Sequence, residues 1–233
     1  MRVQSFRWLV AAAAASTLAA LAAPAPASAQ EGPEFSFNIG AVSDYVFRGA
    51  SQTNEDAAVQ GGVDMTAGSF YAGVWASNVD FGDDTSAEFD VYGGFRTEAG
   101  GFAVDVGAVY YGYVDAPSFA DYDYVEFKLA ASRAIGPASV GAALYYSPDF
   151  FGADDQALYY EVNAGFSPVN KLTVSGAVGQ QQLDVSDDYV TWNIGAAYAL
   201  TDNIAVDVRY HDTDVDGSPL YEDRVVAGVK FVY

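Results

Sequence analysis

The chain of 233 residues carries 31 acidic side chains against 10 basic ones, a formal net charge of −21, and no cysteine. That balance excludes nucleic acid and anionic membrane surfaces as partners, since both need a positive face, and the missing thiols exclude disulfide frameworks and cysteine chemistry. Half of the residues are apolar, with 17 Tyr and 15 Phe, yet past the N-terminus no run reaches the roughly 18 apolar residues of a spanning helix, so a bundle of membrane helices is excluded too.

Residues 1–29 read as a secretory leader. MRVQSFR supplies positive charge, WLVAAAAASTLAALAA an apolar run, and Ala27-Ser28-Ala29 a small-residue cleavage site. Cleavage after Ala29 would leave Gln30 first. Removal takes away Arg2 and Arg7 but no acidic residue, so the remaining domain, 30–233, is more acidic still.

From Phe35 onward the dominant period is two, the mark of strands with unlike faces. In chain order the predicted strands cover 35–47, 57–67, 69–79, 86–97, 101–113, 123–134, 138–147, 157–167, 171–182, 189–200, 203–212 and 223–233. Most approach the 9–11 residues that a tilted strand needs to cross a bilayer. Twelve strands, an even number, keep both chain ends on one side of a barrel. Alternate connections are short and turn-like: Gly68, EAGG, AIGP, SPVN and LTDN. Those between them are long and acidic: RGASQTNED, DFGDDTSAE, VDAPSFADYD, SPDFFGADDQ, LDVSDD and DTDVDGSPLYED. Short turns on one side and long loops on the other are the asymmetry of outer-membrane barrels, periplasmic against extracellular.

Sorting the strands by parity separates an apolar face, with Phe35, Phe37, Ile39, Phe89, Phe127, Leu129, Ile194 and Val208, from a polar one. The polar face is crowded with Gly and Ala and would make a poor soluble exterior, so the apolar face is assigned to lipid. Tyr and Trp near strand ends fit an interfacial belt. The expected fold is therefore all-β, an antiparallel transmembrane barrel of twelve strands with short periplasmic turns and longer acidic extracellular loops. Its pore-lining candidates are Asp44, Arg48, Asp64, Asp90, Arg96, Asp105, Glu126, Lys128, Glu161, Asp207, Arg209, Arg224 and Lys230. These charges nearly balance. They could build a salt-bridged, water-poor interior or a narrow polar pore, and twelve strands lie between the filled eight-strand barrel and the open sixteen-strand porin.

Two motifs invite chemistry. His211 lies beside Asp207 and Asp212, but Asp207 at four residues' distance along a strand is about 13 Å away. A rim histidine is the plainer reading, and a barrel hydrolase the remote one. Asp212, Asp214, Asp216 and Asp223, with Gly217, follow the spacing of a calcium loop. Flanking strands in place of helices, an Asp at the twelfth position and the intruding Pro219 weaken it. Nothing calls for a cofactor. The acidic loops together suggest a vestibule that concentrates cations.

The segments SDYVFRGASQT (43–53), AVQGGVDM (58–65) and GSFYAGVWASNVDF (68–81) resemble the TorF family of porin-like proteins of Gram-negative bacteria. The resemblance is specific over residues 35–95 and implies an outer-membrane barrel without catalytic residues. Where many outer-membrane proteins end in Phe this chain ends in Tyr233, a substitute that the outer-membrane assembly machinery is expected to accept. The expected function is passive diffusion of small polar solutes, with cations favoured. The rival is a non-conducting structural or adhesive barrel.

Overall fold

The period-two stretches pair, each with its sequence neighbour, into one closed sheet. The computed structural model describes residues 32–152 and 155–233, so the leader lies outside the described residues. In chain order the strands are β1 (Glu34–Val42), β2 (Val46–Phe47), β3 (Ala50–Ser51), β4 (Ala58–Ala67), β5 (Phe70–Asn78), β6 (Ala87–Ala99) and β7 (Phe102–Val114). They continue with β8 (Tyr124–Ile135), β9 (Ala138–Ser147), β10 (Ala157–Val169), β11 (Leu172–Leu183), β12 (Tyr189–Ala199), β13 (Ile204–Thr213) and β14 (Arg224–Val232). Twelve of them, β1 and β4 to β14, form an antiparallel barrel that closes where β1 pairs with β14. A 3-10 turn at Pro219–Tyr221 precedes β14. Closure leaves the barrel wall itself without an open edge, the condition for a sheet to stand in lipid.

The connections segregate as their composition requires. On one side the chain reverses tightly, as at Gly100 and Gly101, both at positive φ (61° and 81°), the backbone of a two-residue hairpin turn. One turn departs from expectation. SPVN does not end its strand, because β10 runs on to Val169 through an irregularity between Phe166 and Val169. Pro168 has no N–H to give the ladder, so it is tolerated at such a break, and the reversal falls at Asn170–Lys171, with Lys171 at φ 78°. On the other side stand the long acidic connections.

The outward face is apolar on every barrel strand. Phe127 is 54% exposed and Ile194 60%, with Phe35, Phe70, Leu129, Val162 and Val225 alongside them. An exposed apolar belt that runs round the whole barrel is far larger than a water-soluble monomer shows.

The first predicted strand, 35–47, needs correction. β1 stops at Val42, and the chain then turns into the barrel instead of continuing along the wall or looping outward. β2 and β3 pair as a small ribbon, Val46 with Ser51 and Phe47 with Ala50. Its tip, Arg48-Gly49, has positive φ at both residues (48° and 86°). The chain returns to the wall at β4, where Ala58 pairs with Val42.

Candidate functional site

The inward hairpin is held from several directions. At its base Asp44 Oδ1 accepts the hydroxyls of Ser51 (2.7 Å) and Thr53 (3.0 Å), while its Oδ2 accepts Arg224 Nη1 of β14 (2.7 Å). Tyr45, buried under the ribbon, donates its hydroxyl to Glu88 of β6 (2.9 Å) and packs edge-on against Trp75 of β5 (5.5 Å between ring centres). At its tip Arg48 reaches across the lumen. Its two terminal nitrogens bond both oxygens of Glu126 on β8, each at 2.7 Å, and Nη1 also bonds Gln181 Oε1 on β11 (2.9 Å). The guanidinium carbon lies 4.3 Å from the ring centre of Tyr159, 5.1 Å from that of Tyr145 and 4.6 Å from that of Phe47. Gly49 presses on β12 and β13: a Cβ there would come within 2.3 Å of Thr213 Cγ2 and 2.6 Å of Thr191 Oγ1.

At this level inward side chains are buried on each strand from β4 to β14, among them Trp75, Asp90, Tyr111, Glu126, Gln181 and His211. Hairpin and tyrosines together make a dry layer across the long-loop half of the lumen. Tyr111 and Tyr124 stack at 4.3 Å within it.

Below the layer, toward the tight turns, the lumen is polar and mostly only slightly exposed, with Arg209 buried. Asp105 takes Lys128 Nζ at 2.9 Å, Arg96 Nε at 3.2 Å and the Tyr71 hydroxyl at 2.7 Å. Asp64 accepts the Tyr92 hydroxyl. Glu161 accepts Tyr159 and Asn163. Arg209 bonds Asn193, Ser175 and Asp207. Lys230 is half-buried on the inward face of β14. Every pore-lining candidate thus faces the barrel interior, but Asp44 and Arg48 do so from the hairpin and not from the wall. Asp90 and Glu126 lie inside the dry layer.

Neither chemical motif assembles. Asp207 is engaged by Arg209, and Asp212 alternates with His211, so it points to the other strand face. His211 is buried and opposite Asn193 and Arg224 in register. Among the described residues no three acidic or histidine groups converge on a metal position. The strand ends use these carboxylates instead, since Asp212 accepts Thr213 N–H and Tyr210 O–H, and Asp214 accepts Val190 N–H.

Sequence reasoning missed the tyrosines of the layer, together with Glu88 and Gln181. Their signal was present: Tyr92, Tyr111, Tyr124 and Tyr159 all sit at lumen parity, whereas membrane-belt tyrosines such as Tyr160 and Tyr198 sit at the other.

Comparison with solved structures places the fold among outer-membrane channels. The barrel is similar to the KdgM porin (12% identity, TM-score 0.59, 84% of this chain and 98% of the other) and to the KdgM porin in complex with disordered oligogalacturonate (11%, 0.58, 84% and 98%). It is also similar to an outer membrane channel from Pseudomonas putida F1 (8%, 0.55, 88% and 96%). No curated protein matches the sequence. A family model matches residues 26–231, so the chain belongs to the family described as "Bacterial protein of unknown function (Gcw_chp)".

Proposed function

We propose that this protein is a porin-like channel of the bacterial outer membrane, exported by its leader and placed there by the assembly machinery acting on the strand that ends in Tyr233. The observation that carries the reading is an apolar exterior on all twelve strands around an interior lined with charge. Lipid outside and a polar interior use both faces. The likeness to channels of similar fold supports it, none of those three being described as an enzyme, as does the resemblance to TorF porins over residues 35–95. The acidic loops and the chain's net charge of −21 favour cations and small neutral solutes. They disfavour acidic oligosaccharides such as the one bound to KdgM.

The dry layer supports a second reading, a non-conducting structural barrel. Planar-bilayer recording of the purified protein separates the two. Wild-type channels are expected to rest closed, and a variant with residues 45–55 replaced by a two-residue Asn-Gly turn is expected to show discrete openings with a cation-selective reversal potential in a salt gradient. If the shortened barrel inserts and stays silent, the structural reading stands in place of the porin.

A further inference from the structure

The seat occupied by Arg48 is complete without the hairpin. Glu126 offers a two-oxygen fork from β8, and Tyr111 on β7 holds that fork by donating to Oε2 at 3.0 Å. Gln181 on β11 adds a neutral acceptor. Tyr145 on β9 and Tyr159 on β10 present aromatic rings to the cation. A carboxylate fork with aromatic walls matches a planar guanidinium in both shape and charge.

Two features argue against a purely structural lock. Burying an ion pair stabilises a fold little compared with apolar packing of the same volume, and its best-attested use is in registry and switching. Arg48 is also held at φ 48°, a backbone region that favours Gly or Asn at a hairpin tip. Strain of this kind accumulates at clamps and switches.

We propose that the Glu126–Gln181–Tyr145–Tyr159 seat is a binding site for guanidinium-bearing solutes, with Arg48 as its tethered occupant. A solute that takes the seat displaces the hairpin tip and opens the layer. The seat follows from geometry alone, whereas its gating role rests on the channel reading above. Because a tethered group competes at an effective concentration in the millimolar range, a free solute must reach that range to act on the wild type.

The test uses the full mature barrel in detergent, its folding checked by circular dichroism and heat-modifiable migration. Guanidinium chloride, far below denaturing concentration, is titrated calorimetrically into wild type and Arg48→Ala, with sodium chloride and the neutral near-isostere urea as controls. Arg48→Ala is expected to bind guanidinium and neither control, and wild type to bind it only at higher concentrations, where it outcompetes the tethered Arg48. Adding Glu126→Gln is expected to weaken binding at least about thirtyfold, as for loss of one partner of a buried charge pair. Should Arg48→Ala not fold, Arg48→Lys replaces it, since an ammonium cannot fill both oxygens of the fork and leaves guanidinium able to compete. A folded variant that ignores guanidinium, binds urea equally well or is indifferent to Glu126→Gln overturns the site. In bilayers, guanidinium is expected to reduce the current of Arg48→Ala relative to sodium. Calorimetric binding to a barrel that never conducts would leave the site standing and remove the channel.

Discussion

At the scale of single residues the layer crowds two carboxyl groups together on β6. Both oxygens of Asp90 are buried, and the polar side chain beside them is Glu88, two positions along the same strand face. Asp90→Asn relieves this carboxyl crowding and supplies an amide that can donate to Glu88. It is expected to stabilise the folded barrel by about 1–3 kcal/mol, the scale of an unsatisfied buried group, read as a higher thermal midpoint in detergent. The glycines of the lumen act differently, by making room for tyrosine rings. A Cβ at Gly94 would lie 2.5 Å from the Val106 carbonyl oxygen and 2.6 Å from Tyr71 Oη. The carbonyl cannot swing away without breaking the ladder, so Gly94→Ala is expected to destabilise by about 1–3 kcal/mol and to lower the same midpoint. Parity alone shows these glycines as dilution of a charged face; the rings above them come from neighbouring strands and give the reason.

At the scale of elements the hairpin and the barrel are separable. Val42 and Ala58, which flank the inserted segment, pair directly with each other, and β1 is held on both sides by β4 and β14. Removing the ribbon therefore leaves every wall ladder intact. The shortened variant is expected to fold with unchanged strand content by circular dichroism, and trypsin is expected to spare Arg48 in the wild type, where the seat shields it. Arg224→Ala is the milder perturbation, since it frees Asp44 and with it the hairpin base. Its expected effect is brief openings in the bilayer where the wild type stays closed. The strands themselves were legible in their composition almost to the residue, because alternation of apolar and polar side chains is a local property. The end of β1 was not. SDYVF continues the alternation smoothly, and only the partners met inside the barrel show that Tyr45 and Val46 belong to a plug.

For the whole molecule the decisive boundary is between lipid and lumen. Leu129 is half-exposed on the outward face of β8, opposite Val106 and Leu144. Leu129→Arg is expected to reduce folding into lipid bilayers by about 2–4 kcal/mol if it lies near the midplane, measured by denaturant titration in liposomes. Twelve strands, their two faces and the segregation of turns from acidic loops were determined by the sequence on its own, since each depends on what one residue and its near neighbours prefer as solvent. Whether the lumen is filled was decided only by tertiary structure. Arg48 meets Glu126 at 78 residues' separation and Gln181 at 133, and Arg224 meets Asp44 at 180. No local pattern encodes such meetings. They exist because barrel closure brings remote strands around one narrow interior, where a single hairpin can touch them all.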